Sequence, residues 1–146
     1  MNFMAILHNV TSAGRWMGKL GRGDDLLESI SLICRDNNIR LGRVEAIGAV
    51  EKAVLGYYHQ QNRAYEFFSL DTPHEITSLM GNISLRDGEP MVHAHVMLSD
   101  EKGMVHGGHL APGTIVFACE LIIEAFDGPE LNRGMDKETG LPLWNM

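Results

Sequence analysis

At 146 residues with 45% hydrophobic content, the chain has the size of a single domain and enough apolar material for one core. Its net charge of −7, from 12 Lys and Arg against 19 Asp and Glu, opposes any binding mode that depends on neutralising several phosphates. Two cysteines, Cys34 and Cys119, make neither a disulfide framework nor a CxxC metal site, which fits a reducing compartment; with no basic-then-apolar leader in "MNFMAILHNV" and no run approaching ~20 apolar residues, the expectation is a cytoplasmic protein without a membrane segment.

No element is assigned before residue 21. Arg15, Lys19 and Arg22 form the one local basic cluster, and three charges so spaced read as a solvated face. The stretch "GRGDDLLESISLICRDNNI" then places Leu26, Leu27, Ile30, Ile33 and Cys34 on one helical face. Asp24 and Asp25 suit its N-terminus and Asn37-Asn38 its end. After it come six strand-like runs: "RVEAIGAVEKAVLGYYH", "AYEFFSL", "EITSLMGNISL", "PMVHAHVML", "VHGGHLA" and "TIVFACELIIEAF", separated by turn formers. The third and fourth read as a hairpin across Asp87-Gly88. The last reads as a central strand with Ile115, Phe117, Cys119, Leu121, Ile123 and Ala125 on its apolar face. The tail "DGPELNRGMDKETGLPLWN" reads as an irregular segment laid over a surface or a neighbouring subunit, anchored by Leu141, Leu143 and Trp144. One helix and six or more strands with short links predict a single α+β domain over residues 1–146, with a largely antiparallel sheet.

Four of the seven histidines lie in "MVHAHVMLSDEKGMVHGGHLAPGT". Side chains alternate across a strand, so His93 and His95 share a face. A five-residue turn centred on Glu101 would pair Met97 with Val105, His95 with Gly107 and His93 with His109. That register gathers His93, His95 and His109 on one face. A slip of one residue would exchange His106 for His109; the space that Gly107 and Gly108 leave beside His95 favours the first register. Three neutral imidazoles on a stiff hairpin suit Zn²⁺, with Ni²⁺, Co²⁺ or Fe²⁺ also compatible, and leave a coordination position open. The bland alternative is an ordinary hairpin whose histidines are hydrogen-bonded strand residues. The "HxH" spacing departs from a cupin motif in the placement of its acid and lacks a second motif with its histidine. Glu75, Glu120 and Glu124 read as surface or capping acids, the alternative being that one completes a metal shell, and His8, His59 and His74 have no evident partner. No phosphate loop or nucleophile elbow is present.

The stretch "GNISLRDGEPMVHAHVMLSDEKGMVHGGHLAPGTIVFACELIIEAF", with "GRGDDLLESI" and "RVEAIGAVEKAVLGYY", resembles the plants-and-prokaryotes-conserved (PPC) domain, a domain of unknown function. The resemblance runs from about Arg15 to Phe126 and leaves residues 127–146 as a C-terminal tail. It implies an α+β fold, a packed helix on an antiparallel sheet, assembling as a homotrimer. It also implies a zinc-like metal on His93, His95 and His109, as in some bacterial and archaeal members. Stand-alone prokaryotic members are commonly labelled as DNA-binding, a label taken from plant relatives that carry an AT-hook. This chain lacks the hook's Arg-Gly-Arg-Pro core, and "GRGDD" sets two acids where phosphates would come; no nucleic-acid-binding residue is assigned.

Three functions follow. The first is a metal-binding homotrimer with an open position for a small molecule, catalysis being left undecided because no base can be named. The second is a DNA-associated or transcription-associated regulator acting without an AT-hook. The third is a structural trimerisation module: strand residues such as Tyr57, Tyr58, Phe67 and Phe68 that one helix cannot cover call for self-association, and three copies rather than two are what the resemblance implies.

Overall fold

The computed structural model describes residues 5–146. Strand β1 (Thr11–Leu20) precedes helix α1 (Leu26–Asp36), and then follow β2 (Gly42–His59), β3 (Ala64–Leu70), β4 (His74–Arg86), β5 (Glu89–Ser99), β6 (Val105–Leu110) and β7 (Ile115–Asp127). The tail adds β8 (Arg133–Met135) and β9 (Pro142–Trp144). The six strands expected from the sequence match β2 to β7 to within a residue or so at each end. β1 was not expected. It is an edge strand paired with β7, and Trp16 and Leu20 are its residues packed against the core, so an alternating apolar pattern is missing.

All strand pairings of the main sheet are antiparallel, in the order β1-β7-β2-β4-β5-β6, with β3 added to β2. β2 is long enough to change partners along its length, and its far half meets β6 through Leu55 opposite Leu110 and Gly56 opposite His109. The sheet therefore curls back on itself, β2-β4-β5-β6-β2, around the core. Val44, Leu55, Leu79, Ile83, Val96, Leu98, Leu110 and Ile123 fill the interior. Helix α1 covers it with Leu26, Ile30 and Cys34, as its apolar spacing predicts. Asp25 caps the helix: one carboxylate oxygen accepts from the Glu28 N–H at 3.1 Å and the other from the Gly113 N–H at 2.6 Å, so the cap also latches the β6–β7 turn. Both cysteines are free and buried, and burial first of all pushes each thiol up to about 11.

Two expectations are corrected. In β7 the apolar face is interrupted: Cys119, Leu121 and Ile123 are in the core, but so is Val116, while Phe117 is exposed beneath the Arg22 guanidinium, 5.0 Å from its ring centre. The pairing with β2 skips a residue there, with Ala49 opposite Ala118 and Val50 opposite Val116, and such a bulge inverts the phase of the side chains. The tail is not irregular throughout. β8 and β9 form a two-stranded ribbon, and Leu143 and Trp144 stay partly exposed while Leu131 is buried. Polar contacts hold it: the Arg133 Nε–H and the Trp144 Nε1–H both donate to the Ser84 hydroxyl, at 2.9 and 3.0 Å.

Candidate metal centre

The histidine hairpin closes through a turn set by its polar residues. The Asp100 carboxylate accepts from the backbone N–H groups of Lys102 and Met104 at 2.8 and 3.0 Å, and Gly103 adopts φ 81°. Asp at the first position of the turn, with Gly where a left-handed backbone is needed, favours this geometry. Ser99 therefore pairs with Val105 and His95 with His109. The expected register is off by two residues. Because strand side chains repeat every two residues, the slip preserves the face, and His93, His95 and His109 still share it.

One ring nitrogen from each of the three histidines can be chosen so that all lie within 4.8 Å of one another. The rings sit edge to face or tilted, with centroids 5.2 Å apart for His93 and His95, 5.1 Å for His93 and His109, and 5.6 Å for His95 and His109. Burial, then the neighbouring His109, Arg133 and His95, lower the His93 pKa to about 4. Burial and then His95 lower that of His109. Both imidazoles are thus neutral at pH 7, the state in which a ring nitrogen has a lone pair for a cation. His109 Nδ1 is buried without a hydrogen-bond partner, an unusual condition for a polar atom. The donor set and this orphaned nitrogen fit a divalent transition metal.

His106 faces the other way, opposite Leu98, and lies 5.7 Å from the His74 ring. The glycines do not serve the purpose expected of them. Gly107 lies opposite Met97 rather than His95, and a side chain at Gly108 would press on the Gly56 carbonyl at 2.9 Å; this glycine lets β6 approach β2. Glu124 is buried and lies between Arg15 and Arg43, each at 3.0 Å, so Arg15 is not simply solvated and Glu124 is committed away from the histidines. Glu75 and Glu120 are exposed. His59 finds Glu66 at 2.6 Å, and His74 Nδ1 meets the Thr72 carbonyl at 2.7 Å.

Three neighbours complete the surroundings. Tyr65 lies 5.0 Å from the His109 ring, with Tyr58 5.0 Å beyond it, and Gly56 makes room: a Cβ there would come within 3.0 Å of Phe67 and 3.2 Å of Tyr65. Asn82 is directly opposite His93. Arg133 donates to the Asn82 carboxamide oxygen at 2.6 Å. The Asp87-Gly88 turn pairs Arg86 with Glu89, and counting back from it reaches Asn82 opposite His93, so that neighbour was available from the sequence. Arg133 carries no such signal, because nothing in the tail announces where it docks. Arg43, Glu45, Met80, Asn82, His93 and His95 line an open depression of about 420 Å³. A larger one, about 780 Å³, continues over Met17, Ile47, Met80 and Ile122.

Comparison with known proteins sets this arrangement among relatives. A metal-containing protein from Archaeoglobus fulgidus shares 37% identity and a TM-score of 0.92, over 97% of this chain and 100% of that one. A plant- and prokaryote-conserved protein from Pyrococcus horikoshii shares 32% and 0.91, over 97% and 98%. At 19% identity and a TM-score of 0.84, over 94% and 96%, a Bacteroides thetaiotaomicron structure described by the words "putative dna binding protein" shares the fold. A bifunctional protein GlmU from Synechococcus is 31% identical over 125 residues, 84% of this chain but 18% of that protein; the chain spans less than a fifth of the curated relatives it matches. The sequence model of the Plants and Prokaryotes Conserved (PCC) domain, also abbreviated PPC, matches residues 8–127. The histidine hairpin, the sheet that carries it and this match over most of the chain together make the protein a member of the PCC domain family.

Proposed function

We propose that the protein binds Zn²⁺, or another divalent transition metal, through His93, His95 and His109, and presents an open coordination position to a small molecule. The observation that carries this reading is the convergence of three ring nitrogens within 4.8 Å, one of the rings having a buried nitrogen without a partner. When bound, such an ion would polarise a carbonyl oxygen or acidify a bound water. The chain's own part is to hold two neutral imidazoles at pH 7, to fix His95 and His109 by the strand pairing, and to wall one side with Tyr65. Elemental analysis of protein purified without an affinity tag or chelator tests the reading. About one metal ion per chain, lost in His109→Ala, is expected; a wild type that stays empty after zinc is offered would refute it.

Self-association as a homotrimer belongs to the same proposal. Met17 (81% exposed), Met80 (65%), Ile47 (58%) and Ile122 (40%) lie together around the larger depression, an apolar area of the kind that marks a protein interface. The alternative is a DNA-associated regulator, the fold being shared with a "putative dna binding protein" from Bacteroides thetaiotaomicron. Within the basic cluster, however, Arg15 is paired with Glu124 and Arg22 with Glu51. Retention on DNA that weakens steeply with rising salt would favour the alternative.

A further inference from the structure

The C-terminal ribbon lies outside the residues that the family match covers, yet it reaches the histidine face. It is tied to β4 on one side through Arg133 and Trp144. On the other side it is tied to the β2–β3 hairpin, where the Tyr58 hydroxyl donates to the Thr139 carbonyl at 2.8 Å and Arg63 to the Lys137 carbonyl at 3.1 Å. Asn82 and Ser84 alternate with core residues Ile83 and Leu85, so they point to the histidine side of the sheet. Ser84 is nevertheless fully buried, because the ribbon covers it.

Arg133 is the notable member. Its guanidinium is partly buried, packs 5.5 Å from the Trp144 ring, and is positioned from three directions by neutral acceptors: the Ser84 hydroxyl at 2.9 Å, the Asn82 carboxamide oxygen at 2.6 Å and the Pro142 carbonyl at 2.9 Å. Guanidinium has five N–H donors, so donors remain. Among the described residues the ion pairs found involve Arg15, Arg22, Arg40, Arg43, His59 and His106 and leave Arg133 without a carboxylate. In a chain with a net charge of −7, a held and partly desolvated cation without a counter-charge is a recognition element for an anion.

We propose that Arg133 is the anion-binding residue of the histidine site, and that the site's ligand is a small carboxylate placing one oxygen at the metal and its charge on the guanidinium. The proposal rests on the metal reading above. Asn82 links the two parts: it is directly opposite His93 and accepts from Arg133, so the cation stands one side chain from the first histidine. A ligand a few carbons long spans such a gap. With Tyr65 against the His109 ring and the Arg133 guanidinium held as a planar fork, the site suits a small carboxylate.

Calorimetric titration of zinc-loaded protein with malonate tests this, with malonamide and inorganic phosphate as comparison probes. Malonate is expected to bind and malonamide not. Arg133→Gln should weaken malonate binding by roughly 10- to 100-fold, the value of a charged hydrogen-bonded contact, with zinc content unchanged. Arg133→Lys should recover part of the loss, because it keeps the charge without the fork. Equal malonate affinity in wild type and Arg133→Gln, no malonate binding by the wild type, or tighter binding of phosphate would each overturn the proposal. Failure of the wild type to take up zinc would refute the metal reading separately. The same titration on zinc-free protein then decides the anion site: Arg133-dependent malonate binding upholds it, and absence of binding overturns it.

Discussion

His95 and His109 face one another directly across β5 and β6, their rings perpendicular at 83° with centroids 5.6 Å apart. An ion held between them would bind the folded state and not the unfolded chain. Zinc at a hundred times its Kd should therefore stabilise the wild type by about 2.7 kcal/mol. His95→Ala and His109→Ala should fold, because the core residues lie on the opposite side of the sheet, and should show no shift with zinc. Thermal melts with zinc and with chelator check both statements.

Asp25 has two duties, and its removal should be felt twice. Loss of the helix cap costs about 1 kcal/mol, and loss of the charged acceptor for the Gly113 N–H adds about 1.5 kcal/mol or more. Asp25→Ala should accordingly lower the unfolding free energy by about 2 to 3 kcal/mol in urea titrations. Asp25→Asn, which can still cap, should lose less.

Gly48 has φ 150° at the point where the β2–β4 register shifts. A Cβ there would overlap the Ala118 carbonyl oxygen and stand 2.8 Å from Cys119 Cα. Backbone atoms on the neighbouring strand cannot turn aside as a side chain can. Gly48→Ala should destabilise by about 3 kcal/mol or more, read from the urea midpoint. Gly18→Ala, with open space around it, serves as the control.

Hydrogen bonds from Ser12, Arg15 and Arg43 hold the Glu124 carboxyl at about 2, below its ordinary 4.5. A depressed folded-state pKa means that the carboxylate contributes its stability above pH 4.5. That contribution is lost as the pH falls from 4.5 toward 2. Wild type should exceed Glu124→Gln in stability at pH 7, and the gap should close over that acid range. A gap that stays constant to pH 2.5 would contradict the assignment.

Ile47 is exposed on the apolar side of the sheet. Under the trimer proposal, Ile47→Glu should reduce the mass seen by light scattering from three chains to one, since it puts a charge into each buried interface. The same mass for both proteins would remove this face from the assembly.

How much of this was legible in the sequence differs by element. Helix α1 was, because its period and both of its ends carry their own chemistry. The histidine face was legible in spite of an error: the turn slipped by two residues, and a period of two forgives a slip of two. Phe117 was not, because a bulge arises from two strands together and leaves no mark on one of them. β1 hid because an edge strand with few core contacts needs no alternation. Arg133 hid because its role depends on where a tail docks, and the contacts that decide this, with Ser84 and Asn82, lie about fifty positions away in the chain.

β6 meets β5 on one side and β2 on the other, and His109 sits where the curled sheet joins, opposite both His95 and Gly56. The site is therefore built across a seam. Whatever occupies the three rings with the seam shut must be released for it to open, and its binding free energy adds to the free energy of opening. Occupancy becomes visible far from any chemistry, as slower amide hydrogen exchange along the line where β2 and β6 part.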